Sequence, residues 1–382
     1  MKDEYDRKMK RLCKAAKILL IKTFINFFNA LGMKKNLCGI KPMRFLIIST
    51  TGIGDTLWGT PAIRALKETY PKCYLGVLTN VTGAELLKGN PYIDRFFIFK
   101  RGFRILSLLR LLRELRKERF EVAFIFHASD RIIWPLVFLT GAGEIIGIKG
   151  QNKGLDFILT KAVGKKDIHG IEMRLMLIKE AGVSYMPGTV PSLYLTEEER
   201  KSAAEFYEKL GFDRSSLIVG LHPGAQKPFK CWPLRNFIET ANRLVRELGC
   251  KIIITGDSRE RGTCEELASK IEGAVSIAGK SSLRETAAAI EQMDLYITND
   301  TGPMHIAFAL KTPTIALFCP TDPGLCGPYR AEKTITIKKP ITCNPCIGKE
   351  CLNPVCMEQI TVEEVTMAAK SLIPIKQKKN GI

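Results

Sequence analysis

From Arg44 onward the chain alternates short, almost wholly apolar runs with stretches of helical period, and it does so twice. "RFLIIS", "CYLGVLT", "RFFIF", "VAFIFH" and "EIIGI" form the first series; "LIVGLHP", "KIIITG", "AVSIAG", "DLYITN" and "PTIALF" form the second. Nearly continuous apolar strands separated by helices imply parallel sheets covered on both faces. The pattern predicts an α/β protein of two doubly wound, Rossmann-like domains facing across a cleft, with ligands at the carboxyl ends of the strands. A length of 382 residues suits two domains of ordinary size. The junction falls in "SYMPGTVPSLYLTEEER", residues 184–200, where prolines and glycine give way to an acidic helix start at Thr196. The expected segments are a basic extension over 1–40, one domain over 41–195, a second over 196–342, and a Cys-rich segment with a terminal helix over 343–382.

Three loops follow strands and carry polar residues suited to chemistry. The first, "STTGIGDTLWGTP" at 49–61, resembles neither phosphate-binding signature: Leu57 stands where G-x-G-x-x-G needs its third glycine, and no G-K-[ST] follows. Its Asp55 is therefore a carboxylate in a glycine-rich turn not built for phosphates, and Thr60-Pro61 already offers a cap for the next helix. The second loop is "HPGAQKPFKCWP" at 222–233, with Lys230 as a point charge for a diphosphate. The third is "TNDTGPMHIAFAL" at 298–310, where free amides at a helix start favour phosphate and Gly302 permits close approach. Asp300 or Thr301 is expected to cap that helix as well. His305 is either a core histidine or a site residue. His127, Asp130 and Arg131 in "FHASDR" lie at another strand end.

The net charge of +19 is uneven, with fifteen of the surplus charges in residues 1–44 and 100–119. Such clustering implies an anionic partner met by a defined face. Nucleic acid is not favoured, because neither segment interleaves aromatics with bases and no helix-turn-helix or finger pattern occurs. In "AAKILLIKTFINFFNALG", Leu20, Phe24, Phe27 and Leu31 recur at helical spacing, with Lys10, Lys14, Lys17, Lys22 and Asn29 on the other side. That pattern predicts an interfacial membrane helix, with a buried N-terminal helix or an uncleaved signal-like anchor as the alternatives; Lys17 and Lys22 interrupt any run able to span a bilayer. "RGFRILSLLRLLRELRKERF" at 101–120 is also basic and amphipathic, but reads first as an ordinary helix docked by Leu108, Leu111, Leu112 and Leu115 with its arginines in water. No cleavage site follows the charged lead, so a cytoplasmic, peripheral protein is expected.

Taken together and in register, "GIGDTLWGTPAIRALKETYP", "HPGAQKPFKCWPLRNF" and "TNDTGPMHIAFALKTPTIALFCPTDP" resemble glycosyltransferase family 9, the lipopolysaccharide heptosyltransferases, and "HGIEMRLMLIKEAGV" from His169 is similar as well. The likeness extends over about residues 44–375. It implies a GT-B fold and transfer of heptose from ADP-heptose to the inner core of lipopolysaccharide, on Kdo-lipid A or a heptosyl acceptor. The 41–195 domain would then face the acceptor and the 196–342 domain hold the nucleotide sugar. Asp55 would be the catalytic base. Lys230, in a K-x-W-P motif, would contact the donor diphosphate. Asp300, Thr301, Gly302 and His305 match the donor segment D-[ST]-G-x-x-H, and Glu260 is the counterpart of a ribose-binding acid. By their place at a strand end of that first domain, His127 and Arg131 either face the acceptor or serve only their own loop. Cys319 departs from the glycine of "LFGPTDP", and Trp58 is bulkier than the family pattern. Other readings are a family member using another sugar donor and a non-catalytic nucleotide-sugar-binding protein at the membrane.

The chemistry agrees with the resemblance. A carboxylate takes the proton of an attacking sugar hydroxyl, and a lysine with helix amides stabilises the leaving diphosphate, so no cofactor or metal is required for catalysis. No D-x-D metal pair occurs in the chain. One direct displacement inverts the anomeric centre. The partners implied are a nucleotide sugar, an anionic glycolipid and the surface of the inner membrane. Separately, Cys343, Cys346, Cys351 and Cys356 supply the ligand count of a structural zinc or iron–sulfur site; reduced thiols are the main alternative, and disulfides are disfavoured in a reducing compartment.

Overall fold

The computed structural model describes Met9 and residues 15–16, 18–23, 43–100, 102, 105–186, 188–212, 216–343, 351 and 354–373. The chain divides into two compact units. One comprises Met1–Ala84, Asn90–Asp167 and Ile171–Pro187, the other Glu85–Gly89, Ile168–Gly170 and Gly188–Ile382.

In the first unit six parallel strands, β1 (Arg44–Ser49), β2 (Tyr74–Thr79), β3 (Arg95–Ile98), β4 (Val122–His127), β5 (Glu144–Ile148) and β6 (Lys161–Val163), lie in the order β3-β2-β1-β4-β5-β6. The second repeats this winding with β7 (Ile218–His222), β8 (Lys251–Ile254), β9 (Val275–Ser276), β10 (Leu295–Asn299), β11 (Thr314–Phe318) and β12 (Thr334–Lys338), in the order β12-β11-β10-β7-β8-β9. Counted within its own unit, each sheet runs 3-2-1-4-5-6, the doubly wound order. The order in which strands are added reverses between β1 and β4 in one sheet and between β7 and β10 in the other. The central strands are buried along nearly their whole length, which is why they read as unbroken apolar runs.

Local signals set the helix ends. Thr196 caps the Glu197–Lys209 helix in a capping box with Glu199, as the acidic helix start suggested. The Leu234–Leu248 helix buries Phe237, Thr240, Ala241 and Leu244 at helical spacing and stops at Gly249, whose φ of 65° suits glycine. Two sequence expectations shift. Asp55 lies on a short helix, Ile53–Leu57, rather than in a turn. Gly59, not Thr60, precedes the Thr60–Thr69 helix, and the Thr60 hydroxyl donates to the Leu57 carbonyl at 2.7 Å.

Residues 18–23 are helical, with Ile18 and Ile21 packed on the core of the first unit, while Leu19 and Leu20 are exposed. Lys10, Lys14, Lys17, Phe24, Phe27, Asn29 and Leu31 lie outside the described residues. Among the described residues no helix is long and apolar enough to cross a membrane.

Candidate active site

In the first unit the chain leaves β1 beside the end of β4, where the order of strand addition reverses. The register slips by one residue there: Ile48 faces Ile125 but Ser49 faces His127, an irregularity that re-aims the end of β4. The strand ends are tied together. Thr50 N–H donates to the His127 carbonyl at 3.1 Å, Ser129 N–H donates to Thr50 Oγ1 at 3.0 Å, and Asn80 donates to the Thr51 carbonyl at 2.8 Å.

On this base stands Asp55. Its Oδ1 accepts a 2.8 Å hydrogen bond from Nη2 of Arg174, which comes from the Gly170–Lys179 helix. The Arg174 side chain is 5% exposed and that of Asp55 29%, so an incoming molecule meets the carboxylate and not the guanidinium. The indole of Trp58 lies 5.2 Å from the guanidinium carbon. Burial alone would push the Asp55 carboxyl up; the positive charge of Arg174, His127 beside it and the hydrogen bond from Arg174 outweigh it and hold it below the usual carboxylate range. His127 keeps an open face, yet the protein packed around its ring disfavours the charged imidazole more than Asp55 favours it, and its pKa falls below the ordinary value. Asp130 is spent locally, its Oδ1 accepting from Ile132 N–H at 3.2 Å, and Arg131 is half-buried beside it.

The second unit repeats the placement at the ends of β7 and β10. Asn299, fully buried, accepts from Trp232 N–H at 3.0 Å and donates to the Pro223 carbonyl at 2.8 Å. It thereby pins both ends of the 222–233 loop to the strand end. Lys230 lies at the end of the 3₁₀ turn Pro228–Lys230 and pairs with the buried carboxylate of Asp300, which also accepts from Thr321. The Gly302–Ala309 helix begins here. Thr301 precedes it without a side-chain cap, and Asp300 is engaged by Lys230 and Thr321, so the expected capping by either residue does not occur. The first amides of the helix are left for an anion. His305 is buried edge-on against Phe308, 5.7 Å between ring centres.

Glu260 precedes the Arg261–Ser269 helix and accepts from Asp257 N–H at 2.9 Å. Its carboxylate also lies 4.0 Å from Nε2 of buried His222. A Cβ at Gly224 would overlap the Glu260 carboxylate, so a larger residue there displaces that side chain. Burial lowers the pKa of His222 and Glu260 opposes the change without cancelling it.

The structure therefore gathers Asp55 and His127 in the first unit, and Lys230, Asp300, Thr301 and Gly302 in the second. Sequence reading passed over Arg174, His222, Asn299 and Thr321. Arg174 had a visible signal, a lone cation inside "IEMRLMLI". Of the four cysteines, Cys346 lies outside the described residues, Cys343 is exposed and Cys356 is buried in the core with Met357 and Ile360. Among the described residues no three His, Cys, Asp or Glu side chains are placed to hold a metal ion.

Comparison with known proteins gives this geometry a lineage. A family model described as glycosyltransferase family 9 (heptosyltransferase) matches residues 108–356. The lipooligosaccharide heptosyltransferase 2 of Haemophilus influenzae is 27% identical over 310 residues, covering 77% of this chain and 88% of that protein. A family 9 glycosyltransferase structure from Veillonella parvula superposes with a TM-score of 0.78 at 24% identity, covering 88% of this chain and 99% of that one. An Escherichia coli heptosyltransferase solved with ADP-2-deoxy-2-fluoro heptose superposes with a TM-score of 0.66 at 18% identity, covering 86% and 99%. The two parallel sheets are those of the GT-B fold. With its family matched over more than half of its length, the chain belongs to glycosyltransferase family 9 and is a glycosyltransferase.

Proposed function

We propose that the protein transfers heptose from ADP-heptose to the inner core of lipopolysaccharide, on Kdo-lipid A or a heptosyl acceptor, with inversion and without a catalytic metal. The observation that carries this reading is the Asp55–Arg174 pair at the reversal point of the first sheet: a reachable carboxylate kept ionised by a cation that is itself out of reach. Asp55 takes the proton of the acceptor hydroxyl as its oxygen bonds to the anomeric carbon. The bond from that carbon to the diphosphate oxygen breaks, and the electron pair leaves with ADP. Lys230 and the amides that open the Gly302–Ala309 helix meet the developing charge, work that a divalent cation performs in other transferases. Asp300 and Thr321 hold Lys230 in place, Asn299 holds its loop, and Glu260 with His222 offers an acceptor pair for the ribose. His305 and, on the acceptor side, His127 and Arg131 complete the proposed contacts.

The donor is that of the relatives: an Escherichia coli heptosyltransferase of the same fold binds an ADP-heptose analogue, and the similar Haemophilus influenzae protein is a heptosyltransferase. The test is ADP release from ADP-heptose with and without a Kdo-containing lipid A acceptor, with UDP-sugars as controls. Acceptor-dependent release of ADP that persists in EDTA supports the reading. Release only from a UDP-sugar moves the protein to another donor, and tight donor binding without release under any acceptor moves it to the non-catalytic reading.

Residence in the cytoplasm against the inner membrane belongs to the same proposal, because the acceptor is lipid-borne. A structural zinc at Cys343, Cys346, Cys351 and Cys356 is supported by donor number and type alone, and the burial of Cys356 among apolar side chains does not suit it. Elemental analysis of untagged protein decides, one zinc or iron per chain supporting the site and none removing it.

A further inference from the structure

The Ile105–Lys117 helix was expected to turn its leucines inward and its arginines to water. It does so only in part. Leu111 and Leu115 are buried, but Ile105 and Leu106 are each 77% exposed and Leu109 53%. Beside them lies an open apolar groove of about 410 Å³, lined by Leu20, Leu108, Leu112, Ile132, Leu136 and Leu139 among others. Leu19, Leu20 and Ile132 continue the exposed apolar surface. Soluble proteins seldom leave a contiguous apolar patch of this kind without a use for it.

The charge beside the groove is equally lopsided. The acids of the helix and its C-terminal turn are already engaged: Glu114 pairs with Arg95 at 3.1 Å, and Glu118 pairs with Arg95 at 2.7 Å and also with Arg44. Arg110, Arg113, Arg116, Lys117 and Arg119 make no ion pair among the described residues, and all five are exposed. The outer face of the helix thus runs from leucine at its start to uncompensated cation at its end.

We propose that this face is a docking surface for an anionic phospholipid bilayer. The helix lies in the interface with Ile105, Leu106 and Leu109 in the acyl boundary and Arg113, Arg116 and Lys117 among lipid phosphates, and the groove takes an acyl chain. A nucleic acid would satisfy the cations and leave the leucines in water; a neutral apolar partner would do the reverse. Only a surface that is apolar below and anionic above matches both. Thirteen residues span about 20 Å as a helix, enough to lie on a bilayer and too little to cross it. The purpose of the surface rests on the lipid-borne acceptor proposed above, whereas its chemistry does not.

The experiment is co-sedimentation of the full chain with vesicles of phosphatidylcholine alone or with phosphatidylglycerol, at low and high salt. The variants are Arg113→Glu with Arg116→Glu and, separately, Leu106→Gln with Leu109→Gln, and ADP binding by each variant serves as a control for folding. The parent binds anionic vesicles and loses affinity with salt. The charge pair lowers that affinity on the order of tenfold or more and removes the preference for anionic lipid, while the leucine pair lowers it at high salt as well. Binding by both variants like the parent overturns the proposal, as does equal binding of the parent to neutral vesicles. An affinity for RNA that falls with the arginines while the leucine pair still binds vesicles normally also overturns it, in favour of nucleic acid. Transfer to a detergent-dispersed acceptor stays intact in both variants. Unchanged vesicle binding with that transfer intact counts against the surface alone, and absence of transfer in the parent counts against the proposed function alone.

Discussion

Asp55 and Arg174 stand 119 positions apart in the chain and 2.8 Å apart in space, and each makes sense only with the other. A carboxylate this enclosed would favour its proton, and a guanidinium this buried would leave its charge uncompensated. Asp55→Asn keeps the shape and removes the base; turnover is expected to fall by about 10²–10⁴-fold with ADP-heptose affinity near the parent's. Turnover that survives would assign the base elsewhere.

Arg174→Gln tests the environment of Asp55 rather than its identity. With the cation gone, burial dominates and the Asp55 pKa rises, so the acidic limb of kcat/KM moves to higher pH; a limb that stays in place excludes Arg174 as a positioning residue. Stability follows the same sign. Since folding lowers the Asp55 pKa, the pair stabilises the parent above the ordinary carboxylate range and that contribution fades as pH falls through the folded value. Asp55 was legible because two glycines and a cap-ready threonine left it without a local task. Arg174 showed only as a lone cation among "IEMRLMLI", and nothing in the sequence tied that charge to a partner 119 positions away.

At the level of elements, the inner strands were plain and the edges only in part. The eight inner strands show as apolar runs because both their faces are covered. Of the four edge strands, β3 and β9 were read and β6 and β12 escaped notice, one being three residues long and the other half-exposed along most of its length. The donor-side loop was read for its lysine, but what fixes it is Asn299, at the foot of the strand and invisible to any motif of charge. Asn299→Ala strands Trp232 N–H and the Pro223 carbonyl in the interior. The expected result is a loss of roughly 1–3 kcal/mol in urea unfolding together with weaker ADP binding. Normal stability and normal affinity would show that the loop holds itself. The capping expectation failed in the same region for a physical reason: Asp300 is committed to Lys230 and Thr321, so the helix start remains open to a ligand.

For the molecule as a whole, the two units offer different chemistry and should respond differently to one half of the donor. ADP at roughly a hundredfold above its Kd stabilises the protein that binds it by about 2.7 kcal/mol. Amide exchange is expected to slow in β7, β10 and the Gly302–Ala309 helix while β1 and β4 exchange as before. Protection spread equally over both sheets would contradict assignment of the nucleotide to the second unit, and Lys230→Ala should abolish it.

The shared winding also has a consequence for how each site comes into being during synthesis. The strands that bear the chemistry, β1 beside β4 and β7 beside β10, are neighbours in space but are separated in sequence by two other strands of their own sheet. Loop closure must be met before such a pairing returns any energy, so local hairpin-like contacts cannot shelter it. A nascent chain that has emerged through Thr79 has its carboxylate and the β1–β2 pair but not the wall beside them, which arrives with His127. The capacity for reaction in the first half thus waits on the later part of its own chain: the wall arrives with His127 and the cation beside the carboxylate only with Arg174, while core residues such as Trp134, Ile145 and Ile158 are added in between.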